Sequence, residues 1–166
     1  MSMKQDKQNG VSLIEVLVTL VILSIGLLGI AGMQVMSVKN TQVAAQRSIA
    51  TQQAYDIAER IRANIGIPGV AGGAINGSYD NLAAVTPADP ACGGPCTPVQ
   101  QAVADHRAWN LENARVLPVG TGSVVALPPP AGALPGTIAG YTVTLNWVEQ
   151  SEGGPIARSF VTVVHP

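Results

Sequence analysis

The sequence predicts an α+β protein. One long N-terminal helix, its first half suited to lipid, packs its second half against a small antiparallel β-sheet, with one further short helix. Three observations predict this. Residues 11–33 form an apolar run holding one charge, Glu15. Residues 34–64 contain neither Gly nor Pro. All twelve prolines fall at Pro68 or later, with most of the eighteen glycines, so the rest of the chain must consist of short elements between turns.

Residues 11–33 would reach roughly 35 Å as a helix, enough to cross a hydrocarbon core of about 30 Å. An acid at the front edge of such a span costs on the order of 2–3 kcal/mol even on the gentler insertion scales, so Glu15 calls for a role. A secretory signal would have a shorter apolar core followed by an Ala-x-Ala-like site, and none follows Met33. A plain membrane anchor would explain the length but neither Glu15 nor the residues before it. Lys4 and Lys7 precede the span and Lys39 is the first base after it, so the leader is expected in the cytoplasm and the rest outside.

The segment Gly10-Val11-Ser12-Leu13-Ile14-Glu15 resembles the N-terminus of class III signal prepilins: a short polar leader ending in Gly, then a hydrophobic helix with an acid at its fifth position. The resemblance implies cleavage between Gly10 and Val11 by a prepilin peptidase, N-methylation of Val11, and a docking role for Glu15 in the fibre. Most members carry Phe where this chain has Val11.

The helix continues beyond the span. Ile49, Ala50, Ala54, Ile57, Ala58 and Ile61 recur at spacings of three and four, an apolar stripe, while Asp56 and Arg60 form an i,i+4 pair off it. Gly66, Pro68 and Gly69 end the helix, which from about 11 to 64 would be about 80 Å long. Residues 69–77 read as loop, with Asn76-Gly77 as a turn. Thr97-Pro98-Val99-Gln100 has the capping-box form and opens a helix over about 98–114, with Val99, Val103, His106 and Trp109 or Asn110 along one side. Residues 123–127 form a short strand, and the Pro-rich stretch 127–136 an exposed loop. Residues 141–147 alternate strictly, with Tyr141, Val143, Leu145 and Trp147 on one face. Residues 150–155 make a turn and 158–164 return as an antiparallel strand. The Tyr141/Trp147 face is expected to bury against the helix stripe.

Residues 45–64, the run 22–34 with Gly26, Gly29 and Gly32, and the order Cys96…Trp109…Tyr141…Trp147 are similar to type IV pilus modification proteins, the PilV-type minor pilins. The resemblance implies a type IV pilin-like fold. It divides the chain into a leader (1–10), a membrane or fibre-core half of the helix (11–34), an amphipathic half (35–64) and an exported globular domain (65–166). It also implies a subunit that primes or caps a type IV pilus, with the other minor pilins, the major pilin, the prepilin peptidase and the inner-membrane assembly platform as partners. Before assembly the chain would be a single-pass inner-membrane protein with a periplasmic domain, and afterwards part of the pilus at the cell surface. Roles in adhesion or twitching motility belong to the same expectation. The alternatives are a minor pseudopilin of a type II secretion system, a membrane sensor, or an adhesin. Glu149 and Glu152 alone are too few acids for the calcium site expected of a major pseudopilin.

Charged residues make up 11% of the chain and its net charge is −1, so no basic stripe supports nucleic-acid binding. No phosphate-loop or paired-His zinc motif occurs, so neither cofactor, metal nor enzyme activity is expected. His106 and His165 are isolated and read as surface or core-edge residues. Asp105 and His106 are adjacent on a helix and point to different faces, so they form no catalytic pair. Small glycines in the membrane half, Gly26, Gly29 and Gly32, suit close helix packing. Cys92 and Cys96 are the only cysteines, either bridged or free; an oxidising compartment favours the bridge, worth about 2 kcal/mol or less.

Overall fold

The computed structural model describes residues 12–67, 71–129, 131–133, 136–151 and 153–166. Its elements are α1 (Leu13–Ala63), a 3-10 turn (Ala74–Asn76), α2 (Pro98–Val116), β1 (Thr121–Leu127), β2 (Gly140–Ser151) and β3 (Gly154–Val164). The architecture is the α+β, pilin-like one expected. The chain divides into two units, one ending at Gln42 and one spanning Val43–Pro166.

From Leu13 on, the first unit is helix. Three of its hydroxyls fold back on the backbone: Thr19 donates to the Val16 carbonyl, Ser24 to Leu20 and Thr41 to Ser37. Hydroxyls satisfied within the helix leave few polar groups that need water.

In the second unit the expected stripe of α1 is buried: Ala50, Ala54, Ile57, Ala58 and Ile61 are core residues, and Ile49 packs at its margin. They share one core cluster with Tyr141, Val143, Leu145 and Trp147, the expected face of β2. Full burial of each large apolar side chain contributes roughly 1.5–3 kcal/mol. The Asp56–Arg60 pair forms at 2.9 Å. After α1 the chain reverses through Gly66 and Gly73, with φ of +79° and +91°. A Cβ at Gly73 would come 2.4 Å from the Gly66 Cα, so both conformation and contact require glycine there. Pro68 and Gly69 lie outside the described residues. The stretch 69–77 is not all loop, because Ala74–Asn76 forms a 3-10 turn closed by Gly77.

The capping box of α2 forms as the spacing predicts. The Gln100 N–H donates to Thr97 Oγ1 and the Thr97 N–H to Gln100 Oε1. The buried face of α2 differs from the expectation. Val99 is exposed and Val103 only half-buried; the expected His106, Trp109 and Asn110 do turn inward, but together with Ala102, Asp105 and Asn113. Four of these six are polar, and apolar periodicity cannot find a face that is mostly polar.

The sheet has the order β1-β2-β3 and is antiparallel throughout. β3 starts earlier than expected, at Gly154 instead of Arg158, and pairs up to Ser151↔Gly154. The connection therefore shortens to what lies between Ser151 and Gly154, with a φ of +109° at Gly154 and Pro155 tolerated on an edge strand. Glu152 lies outside the described residues.

Candidate functional site: an exposed apolar helix and two polar clusters

Glu15 lies in the first turn of α1, exposed, with its N–H donating to the Ser12 carbonyl at 3.0 Å. An acid there faces the positive end of the helix dipole, a favourable place for a carboxylate. Behind it residues 12–42 are exposed throughout, Leu28 by 76%. The helix is long and apolar enough to cross a membrane, and its most apolar window is 0% buried within the chain. So much bare apolar surface needs lipid or neighbouring subunits to cover it. Among the described residues, and apart from the adjoining residues and the helix's own backbone, no atom lies within 4 Å of a Cβ built at Gly26, Gly29 or Gly32, so their small size answers to no packing partner there. Gly10 and Val11, the expected cleavage and methylation positions, lie outside the described residues.

In the second unit Glu149 continues the β2 alternation and is buried, with 3% of its surface exposed. Arg47 of α1 donates from Nε at 3.2 Å, and Arg158 of β3 donates from Nε at 2.9 Å. The hydrogen bond from Arg47 holds the Glu149 carboxyl below its ordinary range, against burial and with help from Arg158. The period-two pattern that places Trp147 in the core also places Glu149 there. An acid on that face had to find cations, and this signal was available in the sequence.

A second polar cluster joins α1, α2 and the intervening segment. The Tyr79 hydroxyl donates to Asp105 Oδ2 at 2.5 Å, Gln101 donates to Asp105 Oδ1, and Arg60 lies 3.7 Å from it. Burial, then the Asp105 carboxylate, pushes the Tyr79 phenol well above its ordinary range, so it stays a donor. His106, expected at the surface or the core edge, is fully buried, and its Nε2 lies 3.3 Å from the Gly122 carbonyl and 2.8 Å from Asn110 Nδ2. Asp105 and His106 thus meet separate partners, as their adjacency predicts. Both clusters connect elements; in the first, two arginines share the one Glu149 carboxylate.

Cys92 and Cys96 are joined in a disulfide, with their Cα atoms 5.3 Å apart, immediately before the Thr97 cap. Among the described residues no group of three or more His, Cys, Asp or Glu could hold a metal ion.

Residues 5–31 match the family model of the prokaryotic N-terminal methylation motif. The chain carries a prepilin-type signal. The match spans Gly10, Val11 and Glu15 and runs into the exposed apolar part of α1. With the pilin-like architecture it supports a type IV pilin-like or pseudopilin-like subunit. The motif implies processing by a prepilin peptidase, membrane anchoring by the apolar helix, and assembly with other pilins. Neither the curated proteins nor the solved structures contain a match to the chain.

Proposed function

We propose that the chain is a minor pilin, a structural subunit with no catalytic role, which helps prime or cap a type IV pilus. The observation that carries this reading is the methylation motif over residues 5–31, which runs into the exposed apolar part of α1, where Glu15 is the one acid between residues 13 and 33. The similarity of residues 45–64 to type IV pilus modification proteins supports the minor, priming role. On this reading the chain begins as a single-pass inner-membrane protein with the leader in the cytoplasm and residues 65–166 in the periplasm. It then passes into the pilus with the major pilin and other minor pilins.

Glu15 has a physical task in that transfer. While the leader is attached, its carboxylate lies near the cytoplasmic interface and can reach water. Cleavage after Gly10 creates an ammonium at Val11. As both groups leave water, attraction between such charges grows severalfold with the falling dielectric, and an unpaired charge becomes costly. A neighbouring subunit that supplies the opposite charge therefore favours one stagger of the helices over others.

Mass spectrometry of the N-terminal peptide from native membranes tests processing. The expected species begins at a methylated Val11, and an intact leader in piliated cells refutes the reading. Glu15→Val should leave insertion and cleavage unchanged while lowering the amount recovered in sheared pili. Recovery of the chain only with secretion-system pseudopilins would assign it to that assembly instead.

A further inference from the structure

The two outer edges of the sheet are treated differently. On β1 the outward groups are occupied: Gly122 exchanges hydrogen bonds with the Asn110 side chain, Val124 exchanges two with Leu82, and the Ala126 N–H donates to Asp80. Because bonded and unbonded positions alternate along an antiparallel pair, these contacts set the pattern across the whole sheet. Val124 faces away from β2, so its partner Val143 bonds to Thr162 of β3. The even residues of β3 are therefore tied to β2, and Ala157, Ser159, Val161 and Val163 point their N–H and C=O outward. Among the described residues no strand or side chain pairs with that edge. The stretch 157–163 has neither Pro nor Lys to guard it, and Val161 and Val163 are 56% and 49% exposed.

Beside this edge lies a groove between β3 and α1. Its apolar part is lined by Ala54, Ala58, Tyr55, Phe160 and Val164. Thr51 and Phe160 also line its continuation, which ends at Arg47, Arg158 and Trp147. No carboxylate lines either part. The two arginines share the single Glu149, leaving a surplus positive charge and free guanidinium donors at that end. The Trp147 indole N–H is buried without an acceptor.

We propose that the open edge of β3 receives an extended strand from a partner protein, with apolar residues over the Ala54/Ala58 slot and a carboxylate at the Arg47/Arg158 end. Backbone hydrogen bonds to Ser159, Val161 and Val163 supply the binding, and side chains on alternate faces supply the selection. A second copy of the chain is the poorer occupant, because self-pairing of β3 joins two edges that each carry surplus positive charge. The inference stands on the second unit alone and does not depend on N-terminal processing.

The test uses the full chain in detergent micelles and a fluorescein-labelled peptide of alternating valine and threonine with one glutamate. Two controls carry lysine for the glutamate, or N-methyl groups on alternate backbone amides. The glutamate peptide should slow hydrogen exchange at Ser159, Val161 and Val163 and bind about tenfold more tightly than the lysine peptide. The N-methylated peptide should not bind. Val161→Pro removes one outward donor and should abolish binding; should that variant not fold, the N-methylated peptide makes the same test on the native chain. Unchanged exchange at those amides, equal binding of the glutamate and lysine peptides, or binding of the N-methylated peptide overturns the proposal. Protection of the same amides by the chain alone as its concentration rises would make a second copy the occupant and overturn it too.

Discussion

Gly122 of β1 lies against the indole ring of Trp109 so closely that a Cβ built on it would stand 2.2 Å from the ring. The ring is fully buried, and its Nε1 donates to the Gln53 carbonyl at 2.8 Å. One side chain, Trp109, thus joins sheet, α2 and α1. Gly122→Ala forces either the strand or the indole to move, and overpacking of this kind costs about 1–3 kcal/mol. Chemical denaturation of the full chain in micelles should show that loss. A loss below about 0.5 kcal/mol would mean that the ring moves freely.

Trp147 sits in the same core with 4% of its surface exposed. Trp147→Ala should cost about 3–5 kcal/mol, as for other large buried aromatics. Its indole N–H has no acceptor, so Trp147→Phe sacrifices no hydrogen bond and leaves a smaller cavity, and it should cost clearly less than Trp147→Ala. Equal losses for the two variants would contradict this packing.

Val119 has a φ of +54°, a left-handed conformation that penalises a β-branched residue, and its side chain is 76% exposed. Nothing is packed away by replacing it. Val119→Asn should raise stability by about 1 kcal/mol, since Asn adopts this region more readily. Thermal melting of the two chains side by side checks the sign.

Acid should weaken the second unit in two stages. Burial lowers the His106 pKa from its ordinary 6.5, against the hydrogen bond to the Gly122 carbonyl, so the unfolded chain takes up that proton first. The neutral imidazole's stabilising effect is complete above 6.5 and declines as pH falls towards the lower folded value. Glu149, held below its ordinary 4.5 by Arg47, adds stability above that pH, lost as pH falls through its folded pKa. Melting temperature measured from pH 8 downwards should decline in both ranges. His106→Gln should remove the first decline only; a curve flat down to about pH 5 in the parent chain would exclude the His106 effect.

Several features were legible because their causes lie within a few residues of one another. The α1 stripe from Ala50 to Ile61 follows from 3.6-residue periodicity, the Tyr141–Trp147 face from alternation, and the start of α2 from a Thr97–Gln100 box. The signal at Gly10, Val11 and Glu15 is likewise local, and residues 5–31 match the methylation motif as a linear pattern. Turn length was less legible, because the tight connection before Gly154 depends on a positive φ that Gly allows but does not require.

Tertiary structure decided which polar groups went inside and who met them. Arg47 reaches Glu149 across 102 residues, and Tyr79 reaches Asp105 across 26. His106 and Asn110 enter the core because Gly122 offers its backbone to them. Apolar residues are drawn inward whatever their neighbours, so their pattern alone foretells burial. A buried polar group is tolerated only where a partner arrives, and the closed chain alone determines that meeting. The same reason leaves β1 covered by Leu82, Asp80 and Asn110 while the outer edge of β3 stays open.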